Sequence, residues 1–309
     1  MLMPHSLSLP QRALLAEVAQ LYQPPSLRTV AAGDNRVCFG LIADPQYADS
    51  EPDIDNNLYY RNGLQKLQRA IGVLNAQPLD FVVTLGDLVD RDWQSYAAVL
   101  PVYQGLQHPH AVVLGNHDAQ TIAARLEGKL PLPKSYYAFR FNGWRFIVYD
   151  GNDISVYCNA LNGTDREQSA ALLARLQRAQ QPQAQPWNGA VGKQQLDWIE
   201  QQLQAAQQCG ESVVVLGHYP LAPENTHMLM NAGELVDLFT RYRVRACFAG
   251  HDHRGGYARI GHTEFFTMKG MLDGPSDAPF ARVEIDDNTL RLHGFEGEVS
   301  HCSGTLNRV

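Results

Sequence analysis

The stretch from Leu114 to Gln120 has Gly115-Asn116-His117-Asp118 at its centre: an amide, an imidazole and a carboxylate directly after the apolar run Ala111 to Leu114. Such a run reads as a short buried strand, so the three polar groups are expected in a loop at its rigid end. A lone tetrapeptide of this kind can equally be an Asx-type turn that only closes the strand. Four other apolar runs end in the same manner. Asp44 and Gln46 follow Val37 to Ile42, Asp87 follows Phe81 to Leu85, His218 follows Ser212 to Leu216, and His251 and His253 follow Val244 to Phe248. Each has a plain explanation by itself: Asp87 could cap a helix, His218 before Pro220 could sit in a turn, and His251-x-His253 could be a solvated loop. Their recurrence at successive strand ends is a different matter, because in an open α/β sheet those ends converge on one edge.

Carboxylate, amide oxygen and imidazole are donors for divalent cations harder than those a thiolate site takes, and none of the five cysteines lies in these stretches. Two divalent ions about 3.5–4 Å apart need ligands from several segments and one bridging carboxylate, and they clamp the attacking and leaving oxygens of a phosphoryl displacement. The donor set therefore predicts a pair of divalent ions and not a structural zinc.

The elements that must position these groups alternate between helix and strand, the pattern of an α/β fold. Leu9, Leu14, Leu15, Val18 and Leu21 recur at near-helical spacing, with Ser6 or Ser8 as cap, and predict an outer helix. Further helices are expected from about Leu58 to Ala76, Trp93 to Gln104, Lys193 to Gln208 and Gly233 to Tyr242. Asn142-Gly143 between Tyr136 to Phe141 and Trp144 to Tyr149 is a hairpin signal. Thr164 to Gln181 is rich in Ala, Gln and Arg and predicts an amphipathic helix on an insertion, ended by Pro182, Trp187-Asn188-Gly189 and Val191-Gly192. From Tyr257 to about Phe295 short strands and turns suggest a second, antiparallel sheet. The chain of 309 residues is read as one domain (1–309), with an N-terminal helical extension (1–33) and a helical insertion (153–192).

An apolar fraction of 45% and a charged fraction of 18% fit a globular protein, and the formal charge of −7 argues against a general nucleic-acid binder. The cysteines are scattered and odd in number, which suits reduced thiols. Met1 to Tyr22 lacks a basic leader and no stretch has the length of a membrane span, so a cytoplasmic protein with no membrane contact is expected.

Taken in order, Asp44-x-Gln46, Gly86-Asp87, Gly115-Asn116-His117-Asp118, Gly217-His218 and Gly250-His251-x-His253 resemble the motif series of the calcineurin-like metallophosphoesterases, with Gln46 in place of that family's first histidine. The run Ala43-Asp44-Pro45-Gln46-Tyr47-Ala48-Asp49, with Tyr59-Tyr60-Arg61, Leu67-Gln68-x-Ala70-Ile71 and Gly250-His251-x-His253-x-Gly255-Gly256-Tyr257, is similar to the manganese-dependent ADP-ribose/CDP-alcohol diphosphatases, which carry glutamine at that place. The resemblance runs from about Cys38 to Phe295, leaving out the N-terminal helix and the insertion.

It implies a four-layer α/β/β/α sandwich of two mixed sheets and two divalent ions, manganese first, with magnesium, iron(II) or zinc as alternatives. One ion would take Asp44, Gln46, Asp87 and His253, and the other Asp87, Asn116, His218 and His251, with Asp87 bridging. His117, free of metal, would stabilise or protonate the leaving oxygen and be oriented by Asp118. Tyr47, Tyr60 and Tyr257 are candidates to stack on a base and Arg61 to meet the nonreacting phosphate. The implied reaction is cleavage of the diphosphate bond of a small nucleotide such as ADP-ribose or CDP-choline. Cyclic-nucleotide or general phosphodiester hydrolysis is the alternative on the same site, and a noncatalytic metal-binding scaffold the alternative of another class.

Overall fold

A computed structural model of the chain describes residues 9–27, 35–126, 135–158 and 166–304. The strands predicted from apolar runs form where expected, and their period of two decides which core each residue enters. In β1 (Val37–Ile42), Val37, Phe39 and Leu41 face one core while Cys38 and Ile42 face another. In β2 (Phe81–Thr84), Phe81 and Val83 join the first and Val82 the second. β3 (His110–Val112) continues the parallel pairing begun by β1 and β2.

The core between the two sheets is dominated by aromatic rings. Phe39 stacks on Phe81 with centroids 5.2 Å apart, and both meet Phe146 edge-on. Each fully buried phenylalanine contributes about 1.5–3 kcal/mol of transfer free energy. The opposing sheet supplies Phe146 from the hairpin β4 (Tyr137–Phe141) and β5 (Trp144–Val148). Two crossover strands continue it in parallel, after the two-stranded ribbon of β6 (Ile154–Ser155) and β7 (Gly189–Ala190): β8 (Ser212–Leu216) and β9 (Ala246–Ala249).

Helices cover both outer faces. On the first sheet α1 (Leu9–Leu21), α2 (Asn62–Asn75) and α3 (Gln94–Tyr103) bury Val18, Leu67, Leu74 and Val99 against Cys38, Ile42 and Val82. α4 (Asn116–Leu126) adds Ala119 and Ile122 to that core. On the second sheet α6 (Lys193–Cys209) and α7 (Ala232–Arg241) bury Ile199, Leu203, Leu235 and Phe239 against Ile147, Val213, Val215 and Cys247. Before them in sequence, α5 (Arg166–Arg178) rests Leu172, Leu173 and Leu176 on Ile154, Ala190 and Met230. The result is the four-layer α/β/β/α sandwich.

Two expectations change. The residues from Tyr257 to Phe295 do not make a sheet of their own. β10 (Gly256–Ile260) and β11 (Thr263–Thr267) extend the second sheet beside β9, whereas β12 (Phe280–Ile285), β13 (Leu290–Phe295) and β14 (His301–Ser303) extend the first beside β1. The segment thus covers an exposed edge on each sheet; the first becomes mixed through the antiparallel β12, while the second is already mixed through the β4–β5 hairpin and gains β11 in parallel beside β9. Asn116-His117-Asp118 is not a loop but the first turn of α4, with Asp118 at the favourable end of the helix dipole. The capping serines Ser6 and Ser8 lie outside the described residues. No helix among the described residues is long and apolar enough to cross a membrane.

Candidate metal centre

The parallel strands of both sheets end on one side of the sandwich, and the polar groups follow those ends. After β1 and β2 the two chains stay paired beyond the strands proper: Gln46 N donates to Asp87 O at 2.7 Å, Tyr47 N to Leu88 O at 3.2 Å and Asp90 N to Tyr47 O at 2.9 Å. This extension sets Gln46 beside Asp87 and Asp90. It needs unusual backbone, for Asp44, Gln46, Asp87 and His251 all have φ between 45° and 66°. Four non-glycine residues in the left-handed region at one place is strain of the kind held at functional sites. Two glycines make the close approach possible. A Cβ on Gly115 would strike the Asp87 carboxylate, and one on Gly250 would strike that of Asp44.

Asp44, Asp87, Asn116 and His218 are buried, with Asp44 and His218 fully so. Asp87, His218 and His251 each offer a ligand atom within 4.8 Å of the others. Every histidine has one nitrogen engaged outward and one left for the centre, the arrangement that orients metal-binding imidazoles. His218 Nδ1 donates to Leu85 O at 2.8 Å, and its Nε2 lies 2.9 Å from Asn116 Oδ1 and 3.2 Å from Asp87 Oδ2. His253 Nδ1 donates to Asp273 Oδ1 at 2.7 Å, and its Nε2 is 3.8 Å from Asp44 Oδ1. His251 Nε2 donates to Asn188 Oδ1 at 3.0 Å, which leaves Nδ1. Its backbone N–H meets both Asp44 oxygens at 3.2 Å.

Gln46 carries the most telling feature. Its Nε2 donates to Asp90 Oδ2 at 3.1 Å, and its Oε1 is buried without a hydrogen-bond partner. An orphaned amide oxygen beside two carboxylates costs free energy unless a cation takes it. The residues thus fit a divalent pair.

Electrostatics describe the same crowding. Burial pushes Asp44 up to about 6 against the pull of His253 and His218. Burial also opposes the charge on His218, but Asp87 and Asp44 outweigh it and raise the imidazole to about 9. Asp87 is likewise desolvated, yet His218 and His117 draw it below the usual carboxylate range.

His117 stands apart from the ligand cluster. Its backbone N–H donates to Asp87 Oδ1 at 2.9 Å and its Nδ1 to Asp90 Oδ1 at 2.9 Å. Burial lowers its basicity, but Asp87 and Asp90 more than compensate and raise it to about 9. Asp118 does not orient this ring. Fully buried, it turns its carboxylate to the amides of Val89 and Gly115, 3.1 Å each, and so ties the two strand ends together. Asp90, within the Gly86-to-Asp90 stretch, holds the ring instead; the spacing that contains it was legible, but not which acid would face the imidazole.

Around these groups opens a cleft of about 600 Å³ whose walls include Gln46, Asp87, Asn116, His117, His251 and His253. Of the proposed substrate contacts only Tyr60 lines it, buried beside Leu272 with the Arg91 guanidinium 4.4 Å over its ring. The other three lie elsewhere. Tyr47 packs against the helix-covered core, Arg61 pairs with Asp49 and Glu51, and Tyr257 donates to Glu264 at 3.0 Å on β10. Motif proximity in sequence placed them near the site, but Tyr47 turns to the helix-covered core, Arg61 stands exposed just ahead of α2, and Tyr257 is tied to Glu264. The cleft instead takes Trp187, His227 and Arg254. Asn188 and Asp273, read only as turn residues or passed over, support two of the histidines.

A sequence model of the calcineurin-like phosphoesterase family matches residues 39–255. The manganese-dependent ADP-ribose/CDP-alcohol diphosphatase of Arabidopsis thaliana is 31% identical over 84% of this chain and 94% of its own, and that of Bos taurus 27% over 91% and 97%. Among solved structures, a dimetal phosphatase from Danio rerio superposes with a TM-score of 0.77 at 21% identity, covering 87% of this chain and 99% of that one.

Proposed function

The chain belongs to the calcineurin-like phosphoesterase family, and from that membership we propose that it is a manganese-dependent diphosphatase acting on nucleoside diphosphates linked to a sugar or an alcohol. It is a metal-dependent phosphohydrolase by family. The finer reading draws on relatives named for ADP-ribose and CDP-alcohols over most of their length. The observation that carries it is Gln46, whose amide oxygen is buried, unpartnered and held in place by Asp90 within the cleft.

Asp44, Gln46, Asp87 and His253 would hold one ion, and Asp87, Asn116, His218 and His251 the other. Bound there, two divalent ions offset the phosphate charge and make water acidic enough to serve as nucleophile near neutral pH. The protein supplies the rest. Asp87 would be the shared carboxylate and would fix the two halves relative to each other. Asp273 and Leu85 hold His253 and His218 in the tautomers that point Nε2 inward. His117, with Nδ1 on Asp90, has Nε2 left to give a proton to the oxygen that leaves phosphorus. One water adds across the P–O–P bridge, so the products are a nucleoside monophosphate and the phosphorylated partner. Five unpaired cysteines support a reducing, cytoplasmic setting. Residues 1–309 are read as one domain with the 1–33 extension and the 153–192 insertion.

A panel with manganese, offering ADP-ribose, CDP-choline, cyclic AMP and a bis-nitrophenyl phosphate, tests this. Efficient turnover of the first two is expected. Cleavage of cyclic AMP or the nitrophenyl ester alone would replace the assignment by the phosphodiesterase reading, and no turnover of any would leave a scaffold.

A further inference from the structure

Asn152 lies in the loop after β5, buried, and both ends of its amide are engaged. Nδ2 donates to the carbonyls of Leu114 at 3.2 Å and Gly115 at 3.4 Å, while Oδ1 accepts from the Tyr219 hydroxyl at 2.9 Å and lies 3.5 Å from Cys158 Sγ. Donors at one end and an acceptor at the other are what an amide offers and a carboxylate does not. The backbone is equally fixed. Asn152 N donates to Asp150 Oδ1 at 2.8 Å, and the Gln195 amide grips Asp150 N and O at 2.8 and 3.0 Å. Gly151 lies so close to the Tyr219 ring that a Cβ there would strike it.

These contacts reach the metal centre from two sides. Leu114 and Gly115 lead from β3 of the first sheet into Asn116, whose carbonyl accepts from Cys158 Sγ at 3.2 Å. Tyr219 follows β8 of the second sheet, and its ring sits 5.2 Å from that of His218 and 4.6 Å from that of His251, centroid to centroid. One buried amide therefore braces the backbone before Asn116 against the ring that backs His218 and His251. The other half of the centre is supported separately, His253 by Asp273 and Gln46 by Asp90.

We propose that Asn152 and Tyr219 are positioning residues for one ion only, the one assigned to Asp87, Asn116, His218 and His251, and that they set its affinity by locking the ends of β3 and β8 together. This rests on the two-ion partition above. A fully satisfied buried polar network holds a single geometry, and a broken one costs more than an apolar core. Neither residue is among those lining the cleft, so their loss acts on metal occupancy and not on the chemical step.

Asn152→Leu keeps the volume and removes the whole set of bonds. Tyr219→Phe keeps the ring and removes only the hydroxyl, so it carries the test if the first variant does not fold. Manganese is titrated into the metal-free full chain with electron paramagnetic resonance of the free ion as readout, and proton–nitrogen spectra of the histidine rings in the same metal-free protein locate the disturbance. Wild type should take two ions. One of them should bind about 10- to 100-fold more weakly in Asn152→Leu and about 2- to 10-fold more weakly in Tyr219→Phe, the other staying within about twofold. The ring signals of His218 and His251 should move and those of His253 stay. In turnover, manganese half-saturation should rise while the plateau rate is kept. Equal weakening of both ions, or unchanged occupancy in a variant with a lowered melting temperature, overturns the proposal and leaves the pair purely structural. A wild type that takes a single ion, with the His218 and His251 signals still moved by Asn152→Leu, keeps the brace and refutes the two-ion partition.

Discussion

Replacing Asp90 by asparagine should damage two parts of the centre at once. The carboxylate accepts from Gln46 Nε2 on Oδ2 and from His117 Nδ1 on Oδ1. Asparagine has the same shape but only one acceptor, the other end being a donor. If its oxygen faces His117, its NH₂ meets that of Gln46, which must flip and turn Nε2 toward the place a cation would take. If its oxygen faces Gln46, His117 loses the acceptor that orients it. Loss of a group that supports a metal ligand costs about 10–100-fold in metal affinity or activity. Loss of acid–base help costs about 10²–10⁴-fold in rate. In free energy the latter is roughly 2.7–5.4 kcal/mol at about 1.36 kcal/mol per tenfold. Manganese activation curves read both parts: half-saturation reports the first and the plateau rate the second. Asp90→Asn should move at least one by tenfold or more, and its effect should not add to that of His117→Ala, because both act through one unit. Half-saturation and plateau both within twofold of wild type would refute the reasoning.

Asp87→Asn should abolish turnover and metal loading while the melting temperature stays near native, since the residue lies at a strand end and not in an apolar core; loaded, active protein would remove the two-ion reading. His117→Ala should lower kcat by about 10²–10⁴-fold with metal content kept, as metal analysis of the purified variant would record. Gln46→His should shift activation from manganese toward nitrogen-preferring ions such as zinc, and superimposable manganese, magnesium and zinc profiles would mean that Gln46 does not touch the metal. Lys66→Met should lower stability by about 1–3 kcal/mol or more in denaturant unfolding, because the buried ammonium donates to the carbonyls of Met271, Asp273 and Gly274 and its loss leaves acceptors unpaired. A stability change within error would show that water replaces it.

Sequence alone determined the strands, because β1, β2 and β8 are apolar runs bounded by turn residues, and burial on both faces demands such runs whatever surrounds them. It also determined the chemistry of the centre, since Asp44, Asp87, Asn116, His218, His251 and His253 recur at strand ends and donor type is written in the residue. Gln46 was legible as a departure and as a candidate ligand. What holds it was not, because only the fold brings Asp90 to one end of its amide and leaves the other end bare. The same holds for His117: the adjacent Asp118 was the natural partner by sequence, but the first turn of α4 sends that carboxylate toward Val89 and Gly115. Asn188, Asp273 and Trp187 stand far from the motifs in the chain and lie at the site solely through tertiary packing. Local pattern fixes which face of a strand or helix a side chain takes. Which distant loop meets it there depends on how the two sheets close over their shared core, and no short-range periodicity encodes that.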